Sequence, residues 1–477
     1  MKQSQIGLIG LAVMGQNLAR NISRNHRISV YNRTYTTTEN FLGAYKNENL
    51  SGYETLPDFI NSLEQPRLIG IMVKAGQPID QLIESLLPIL SAGDILIDFG
   101  NSNFNDTIRR EKYLADKNFN FFGCGVSGGE EGALNGPSLM PGGDKKIYQK
   151  LEPIFMDIAA KDFNQQACVS YIGANGAGHF VKMVHNGIEY GVMQMMAEAY
   201  EALALGYGLR APEIADIFER YNQGKLHSYL FEIAIPILKK TDPYSASNEY
   251  LIDKILDTAG QKGTGTWTAI ESLNLGSSLS VIAEAVYARS TSAHIRDREA
   301  LSKLYNKPEI DFSIPLEQFI EQLENTLYSA MLISYAQGFA MFSEAAEHYN
   351  WDLNFAEISR IWQGGCIIRA DLLKTLETAF NEQPRTHLLA IDQIAQSINA
   401  ALTDFRTTVA ECQLQGIPLF SLSSALYSFE SMTNSRGSAN FIQALRDSFG
   451  AHTFKRIDMD GNFHAKWDEI GELTKLD

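Results

Sequence analysis

The first part of the chain alternates short apolar runs with segments of helical period. Runs of this length rich in Ile, Val and Leu are typical of buried strands, and their alternation with helices favours a parallel sheet covered on both faces. The predicted helices include Leu11–Ile22, Ile79–Leu90 and Ile147–Ile158, and Pro137–Gly143 is predicted to be turn-rich. The predicted strands are Gln5–Gly10, Ile28–Tyr31, Leu68–Val73, Asp94–Phe99, Phe121–Val126 and Val169–Gly173.

A long apolar helix is predicted over Gly176–Leu205, and the pattern after it is almost entirely helical. At ~100° per residue, Lys182, Asn186 and Glu189 fall within about 60° of one another, and His185 flanks them. Burial lowers the pKa of a lysine and raises that of a carboxyl group, so Lys182 and Glu189 are candidates for a base and an acid. The alternative is an internal ion pair that only satisfies a polar groove.

Two stretches of this helical region resemble each other. Glu198-Ala199, Glu213–Phe218 and Gln223-Gly224 correspond to Glu344-Ala345, Glu357–Trp362 and Gln363-Gly364, which predicts a duplicated helical unit. In the second copy, Tyr328 and Tyr335 stand where the first has Lys182 and Glu189. An ionisable pair confined to one copy is hard to explain by packing alone.

A glycine pattern marks the turn after the first strand: Gly10, Leu11, Ala12, Val13, Met14 and Gly15. Gly10 suits the tight turn, Ala12 the approach of a pyrophosphate, and Gly15 close packing of helix on strand, so a dinucleotide site is predicted rather than a plain βα turn. The second strand ends in Asn32, Arg33 and Thr34 where NAD sites commonly have an acidic residue. A guanidinium there favours NADP, although Arg33 could also be a solvated surface residue.

Further candidates lie in loops at the carboxyl ends of the predicted strands, which line the ligand crevice in such sheets. Asn101 could touch nicotinamide or substrate, or form an ordinary Asx turn. Ser127, Gly128 and Gly129 could offer backbone N–H groups to an anion, or simply be flexible. Lys262 and Arg289 are candidate cations for an anionic substrate, or surface charges.

These patterns predict an α/β nucleotide-binding domain followed by a large all-α domain with an internal duplication and a C-terminal tail. The expected boundaries are 1–176, 177–437 and 438–477. The tail has one predicted helix, Ala439–Phe449, followed by turn residues and aromatic side chains. Those aromatics need a surface to bury on, which favours a neighbouring subunit over fraying into solvent.

Composition narrows the function classes. The net charge of −16 argues against a general nucleic-acid partner. Four scattered cysteines without CxxC pairs indicate neither a metal site nor a disulfide framework. With no signal peptide and no apolar run of the ~20 residues that span a bilayer, a cytoplasmic protein without membrane contact is expected.

Taken together, the motifs closely resemble those of the 6-phosphogluconate dehydrogenases, and they do so in order along the whole chain. They are GLAVMG (10–15), YNRT (31–34), MVKAG (72–76), GVSGGEEGA (125–133), GPSLMPGG (136–143), GAGHFVKMVHNGIEYG (176–191), KGTGTW (262–267) and FGAHTFKRID (449–458).

The resemblance implies a Rossmann domain, a duplicated helical domain and a homodimer in which each tail reaches into the other subunit. It implies that 6-phosphogluconate is oxidised and decarboxylated with NADP, Lys182 acting as base and acid and Glu189 as the second acid. Implied NADP contacts are Gly10–Gly15, Asn32, Arg33, Thr34, Val73, Lys74, Ala75 and Asn101. Implied substrate contacts are Asn101, Ser127, Gly128, Gly129, His185, Asn186, Tyr190, Lys262 and Arg289, with Arg446 and His452 from the partner chain.

Two positions depart from the family pattern: the loop Ser23–Arg27 is one residue short, and Thr266 stands where many members have Lys. Neither touches the expected proton-transfer pair. Two rival functions are a β-hydroxyacid dehydrogenase acting on a small unphosphorylated acid and a catalytically silent NADP-binding regulator. The duplicated unit and cationic tail weigh against the first, and the intact Lys182–Glu189 pair against the second.

Overall fold

The computed structural model describes residues 3–245, 249–306, 308–468 and 471–476. The chain forms two compact units, a larger unit of Met1–Ala425 and a C-terminal unit of Leu426–Asp477. Within the described residues, no helix combines the length and apolar character that crossing a membrane requires.

A seven-stranded sheet organises the first part of the larger unit, in the order β3-β2-β1-β4-β5-β6-β7. All neighbouring pairs are parallel except β6 and β7. The order reverses between β1 and β4, which is where open α/β sheets form their ligand crevice. The strands are β1 (Ile6–Ile9), β2 (Ile28–Tyr31), β3 (Leu50–Tyr53), β4 (Leu68–Ile71), β5 (Ile95–Asp98), β6 (Asn120–Ser127) and β7 (Ser138–Gly142).

Helices cover both faces of this sheet because successive strand residues point to opposite sides. Leu8 belongs to a buried cluster with Leu18 and Phe155, whereas the adjacent Ile9 belongs to another with Phe59 and Ile79. The helices of this region are α1 (Val13–Ile22), α2 (Tyr35–Ala44), α3 (Leu56–Asn61), α4 (Gln77–Leu86), α5 (Phe104–Ala115), α6 (Gly129–Asn135) and α7 (Lys145–Ile158), with a 3₁₀ turn at Leu87–Ile89.

Two expectations about this region are wrong, and one strand was missed. The segment Pro137–Gly143 is not a turn: Ser138–Gly142 is a buried strand, and Pro141 is tolerated because β7 is the last strand in the order. Val169–Gly173 is not a continuous strand, since only Val169 and Gly173 form isolated bridges. The edge strand β3 was not predicted, because only Leu50 among its four residues is buried.

The remainder of the larger unit is helical, as predicted. Its central helix α8 (Ala177–Tyr207) packs against β6, β7, α11, α12 and α14. The long helices α8 and α14 are each followed by a shorter one, at the positions of the two predicted copies. The other helices are α9 (Ala211–Asn222), α10 (Tyr229–Lys239), α11 (Thr264–Leu275), α12 (Ser280–Ser292), α13 (Ile295–Leu301), α14 (Leu316–Tyr349), α15 (Phe355–Ile361), α16 (Leu372–Glu382) and α17 (Asp392–Leu414), with 3₁₀ turns at Leu251–Lys254 and Leu388–Ala390. Helix α18 (Phe420–Met432) begins in the larger unit and ends in the C-terminal one.

The C-terminal unit contains α19 (Ala439–Gly450) and a small antiparallel sheet that the sequence did not predict: β8 (Phe454–Lys455), β9 (Asn462–Ala465) and β10 (Leu473–Leu476). Its centre is the buried carboxylate of Asp447, which accepts hydrogen bonds from the Thr453 and Ala465 N–H groups and from Trp467 Nε1. Burial opposes ionisation, but these bonds and His464 lower the pKa of Asp447 to about 2. The unit buries one of the aromatics beyond the helix by itself, since Phe463 is buried and stacks on Phe454, whereas Trp467 is half exposed. Phe441 and Phe449 on α19 are also exposed.

Candidate active site

The turn after β1 fits a dinucleotide. Gly10 has a φ of 103°, and a Cβ there would lie 2.3 Å from the Met72 carbonyl oxygen. A Cβ on Gly15 would lie 1.9 Å from the Gly10 carbonyl oxygen, so only glycine lets α1 pack this closely on the turn. The N-cap residue Ala12 has no side chain to bond the first N–H groups of α1. Those groups are therefore available to an anion, as a pyrophosphate requires.

The end of β2 adds a cation beside this turn. Asn32 Oδ1 accepts a hydrogen bond from the Leu11 N–H group at 3.1 Å, which ties the end of β2 to the glycine turn. Arg33 and Thr34 are exposed. Among the described residues, the Arg33 guanidinium has neither a hydrogen bond nor an ion pair. This arrangement leaves it able to bind a 2′-phosphate.

Two further loops approach the same crevice from β4 and β5. A Cβ on Gly10 would lie 3.0 Å from Val73 Cγ1, so Val73 packs against the glycine turn, while Lys74 is exposed and Ala75 half-buried. Asn101 is exposed, and its Oδ1 accepts a hydrogen bond from Asn186 Nδ2 at 3.5 Å. Asn101 thus connects the nucleotide-binding side to helix α8.

Lys182 lies on α8 and packs against Gly125 of β6, where any residue larger than glycine would not fit. A Cβ on Gly125 would come within 2.4 Å of Lys182 Cβ. Lys182 is buried, and burial lowers its pKa to about 8, with the charge of Glu189 acting in the opposite direction. An ammonium group with this pKa can lose its proton near neutral pH.

His185 joins Lys182 to its neighbours. Lys182 Nζ lies 3.3 Å from His185 Nδ1, and His185 Nε2 lies 3.1 Å from Ser127 Oγ. Asn186 Oδ1 is 3.2 Å from the same Nδ1. Burial, together with the charge of Lys182, lowers the pKa of His185 well below its usual range, so the imidazole is neutral. When Nδ1 accepts from Lys182, Nε2 carries the proton and donates to Ser127.

Glu189 completes the polar face of α8. Its Oε2 lies 4.0 Å from His185 Nδ1, the same nitrogen that lies 3.3 Å from Lys182 Nζ, so the carboxyl and ammonium groups both lie beside one imidazole nitrogen. Burial raises the pKa of Glu189, and the charges of Lys182, Arg289 and Lys262 oppose that rise. The structure thus brings together the base and acid candidates, as the helical spacing predicted.

The segment from Ser127 to Gly129 forms the floor beside Lys182. Ser127 ends β6, and Gly128 and Gly129 have positive φ values of 128° and 59°. Helix α6 begins at Gly129, so the N–H groups that the sequence suggested for an anion lie at a helix start. A Cβ on Gly128 would lie 2.5 Å from the Gly365 carbonyl oxygen.

This contact with Gly365 reveals a part of the site that the sequence did not indicate. Ile367 Cδ1 lies 3.7 Å from the position of a Cβ on Gly129. Cys366 is buried near Lys182, and burial raises the pKa of its thiol to about 12, so it is not a thiolate. In the sequence, the neighbouring Gln363-Gly364 predicted only a duplicated helical unit.

Arg289 and Lys262 place two positive charges near Glu189, and Arg289 packs on the ring of Tyr190. The Arg289 guanidinium lies 3.5 Å from the Tyr190 ring centroid, and its Nη1 donates to the Gly260 carbonyl oxygen. Lys262 is exposed and makes no side-chain hydrogen bond or ion pair among the described residues. The charges of Arg289 and Lys262 both lower the pKa of Glu189, which places the two cations near its carboxyl group, and a guanidinium with an ammonium group is a combination that suits a phosphate.

The last two candidates lie in the C-terminal unit. Arg446 is on α19, where its Nη1 donates to Gln443 Oε1 at 3.0 Å. His452 follows that helix, exposed, with its ring 5.9 Å from that of Phe449. Among the residues that the structure describes, neither forms an ion pair with a carboxylate that would compete with an anion. Elsewhere, no group of three His, Cys, Asp or Glu side chains that could hold a metal ion occurs in the described part of the chain.

Two family models match the chain. The NAD binding domain of 6-phosphogluconate dehydrogenase matches residues 5–173, and the 6-phosphogluconate dehydrogenase C-terminal domain matches residues 178–467.

Similar proteins match over nearly the full length. A decarboxylating 6-phosphogluconate dehydrogenase of Lactococcus lactis is 46% identical over 98% of this chain and 99% of its own. An NADP(+)-dependent decarboxylating enzyme of Bacillus subtilis is 47% identical over 98% of this chain and 100% of its own. The solved structure of Plasmodium falciparum 6-phosphogluconate dehydrogenase, described in complex with NADP+ and with 6-phosphogluconate, has a TM-score of 0.93 and 40% identity, and the match covers 97% and 100% of the two chains.

Proposed function

This chain belongs to the 6-phosphogluconate dehydrogenase family, and we propose that it converts 6-phosphogluconate to ribulose 5-phosphate and CO2 while reducing NADP. The observation that carries the proposal is the cluster of buried Lys182 and His185 with half-buried Glu189 beside Ser127. It presents a base of lowered pKa and an acid of raised pKa to one space.

NADP fits the residues at the carboxyl ends of β1, β2, β4 and β5. The glycine turn and the uncapped start of α1 would hold the pyrophosphate, and Arg33 with Thr34 the 2′-phosphate. Val73, Lys74, Ala75 and Asn101 would hold the nicotinamide side. Bound NADP would supply the acceptor for the hydride that leaves C3 of the substrate.

Lys182 acts first as a base. In its neutral form it takes the proton of the C3 hydroxyl group while the hydride leaves C3, which produces a 3-keto acid and an ammonium. The C1 carboxylate then leaves as CO2, and its bonding electrons pass toward the C3 oxygen. Lys182 stabilises that oxygen and returns its proton, giving an enediol. No metal ion is needed in this sequence, because the ammonium supplies the positive charge.

Glu189 acts as the second acid. It gives a proton to the carbon that bore the carboxylate, while Lys182 takes the proton of the enediol oxygen and the ketone of ribulose 5-phosphate forms. The pair therefore ends with one proton moved from Glu189 to Lys182. Before the next turnover this proton must return from Lys182 to Glu189. His185 lies between the two groups, 3.3 Å from Lys182 and 4.0 Å from Glu189.

The remaining contacts hold the substrate in place. Ser127, Gly128, Gly129 and Asn186 would bind its carboxylate and hydroxyl groups, and Tyr190, Lys262 and Arg289 its phosphate. We infer that Arg446 and His452 complete the phosphate site from the partner subunit of a homodimer. The exposed Phe441 and Phe449 on and at the end of α19 support such a partner. A cytoplasmic location remains an expectation.

The test is NADPH formation from 6-phosphogluconate by the wild-type protein and by Lys182→Ala. The wild type should turn over, whereas the variant should retain less than about 1% of kcat and still bind NADP. A silent NADP-binding regulator would bind NADP without turnover in either form. A dehydrogenase for small unphosphorylated acids would instead prefer 3-hydroxyisobutyrate. Either result would refute the proposal.

A further inference from the structure

A buried arginine donates a hydrogen bond to the end of the loop after β4. Arg110 lies on α5 and is 1% exposed. Its Nε and Nη2 donate to the two carboxylate oxygens of Asp80, in the first turn of α4, at 2.8 and 3.1 Å. Nη2 also donates to the Gly76 carbonyl oxygen at 3.0 Å. One edge of the guanidinium therefore fixes the end of the segment Val73–Gly76 that we assign to NADP.

The opposite end of the same guanidinium faces the loop after β5. Arg110 Nη1 is buried and has no hydrogen-bond acceptor among the described residues, but it lies 3.9 Å from Asp98 Oδ2. Asp98 ends β5 and is itself buried. Its Oδ1 accepts from the Gly100 N–H group at 2.9 Å, and its Oδ2 accepts from Ser102 Oγ at 2.6 Å. Asp98 thus holds both sides of Asn101.

Attaching α5 to α4 does not explain why this arginine is buried. The adjacent Arg109 is exposed and already binds Asp80, with its Nη2 2.9 and 3.1 Å from the two carboxylate oxygens. Removing a guanidinium from water is costly and is offset only by good partners. What Arg110 adds to Arg109 is the carbonyl of Gly76 and the charge of Asp98, which belong to the two ligand-facing loops.

We propose that Arg110 is a positioning residue that fixes the NADP loop Val73–Gly76 and the Asn101 loop relative to each other. The inference rests on the proposed function, since that function assigns the two loops to cofactor and substrate. β4 and β5 are neighbours in the sheet, with Ile71 opposite Asp98, so the loops leave the same edge side by side. A loop misplaced by about 1 Å can cost as much as 100-fold in rate.

The test compares Arg110→Met with the matched control Arg109→Met, which removes a neighbouring arginine and its Asp80 contact but leaves both loops supported. We expect Arg110→Met to raise the KM for NADP about 10-fold and to lower kcat by a similar factor. Arg109→Met should stay within about twofold of the wild type. Equal effects of the two substitutions would overturn the proposal.

A double-substitution cycle separates positioning from a general loss of structure. If Arg110 acts through the Asn101 loop, Arg110→Met should lower kcat clearly less in an Asn101→Ala background than in the wild type. Additive effects would show that Arg110 does not act through Asn101. Should Arg110→Met fail to fold, Arg110→Lys replaces it, with Arg109→Lys as its control, and an unchanged KM for NADP would overturn the proposal.

Direct titration of NADP without substrate keeps the two proposals apart. If the wild type failed to oxidise 6-phosphogluconate, the proposed function would fall. The dissociation constants of NADP for Arg110→Met and Arg109→Met would still show whether Arg110 organises the NADP loop. We expect about a 10-fold weaker constant for Arg110→Met alone.

Discussion

The buried Lys182 should cost the folded protein stability near neutral pH, and its replacement by methionine should reveal that cost. A lysine in the unfolded chain has a pKa of about 10.5, whereas burial lowers the pKa of Lys182 to about 8 in the folded state. At about 1.4 kcal/mol per pKa unit, the difference corresponds to about 3 kcal/mol at pH 7. Methionine is similar in length to lysine and carries no charge, so replacing Lys182 with methionine removes this cost from the folded state.

The sign of this effect fixes its pH dependence. Because the folded pKa lies below the unfolded one, the cost is fully present below pH 8 and declines as the pH rises toward 10.5. The advantage of Lys182→Met in the free energy of unfolding should therefore be about 3 kcal/mol at pH 7 and about 1 kcal/mol at pH 10. In a chain of this length, 3 kcal/mol corresponds to a rise in Tm of about 3 °C.

The assay is urea and thermal unfolding of ligand-free protein at equal concentrations and at both pH values. Lys46→Met, at an exposed lysine remote from the site, controls for the loss of a positive charge. Comparing variants at each pH cancels the titration of other groups. An advantage of the same size at pH 7 and pH 10, or a Lys182→Met protein less stable than the wild type at pH 7, would refute the lowered pKa.

Four other outcomes follow from the site. Gly15→Ala should weaken NADP binding at least 100-fold in a direct titration, because its Cβ would overlap the Gly10 carbonyl oxygen at 1.9 Å; near-normal binding would contradict that packing. Arg33→Ala should raise the KM for NADP far more than that for NAD, and an equal change would show that Arg33 does not contact the 2′-phosphate. Arg289→Met should raise the KM for 6-phosphogluconate about 10-fold while that for NADP stays within twofold, and the reverse order would remove Arg289 from the phosphate site. The kcat/KM for 6-phosphogluconate should rise with pH up to about 8 as Lys182 loses its proton; a flat profile from pH 6 to 8 would exclude Lys182 as the base.

Local patterns were enough to predict the nucleotide turn and the polar face of α8. The spacing of Gly10 and Gly15 reflects the contact of Gly15 with the Gly10 carbonyl oxygen inside one strand–turn–helix unit, although Gly10 itself packs against Met72 after β4. The shared face of Lys182, Asn186 and Glu189 follows from helical periodicity. In both cases the residues that contact one another are close in sequence, and the family resemblance then named the chemistry. The predicted fold class and family are confirmed by the structure and by the similar proteins.

Features that depend on distant segments were not predictable in this way. The contact of Gly128 with Gly365 joins the first domain to the second copy of the helical unit, and no local pattern connects them. No sequence pattern pointed to Arg110, because its burial depends on Asp80 in the first turn of α4 and on Asp98 at the end of β5. The small sheet of the C-terminal unit was missed because its order comes from bonds to a single carboxylate, that of Asp447.

The two copies of the helical unit explain why packing does not account for Lys182. The counterpart of Lys182 is Tyr328, which is half-buried and neutral. The counterpart of Glu189 is Tyr335, a buried residue whose hydroxyl group donates to the Ile368 carbonyl oxygen at 3.3 Å. Ile368 adjoins Ile367, which lies over Gly129, so the second copy supports the wall of the site from behind. At this helix face the fold therefore accepts a neutral side chain with one hydrogen bond. A lysine that costs about 3 kcal/mol in the first copy brings no comparable structural gain, and proton transfer to a bound sugar acid is the role that its lowered pKa suits.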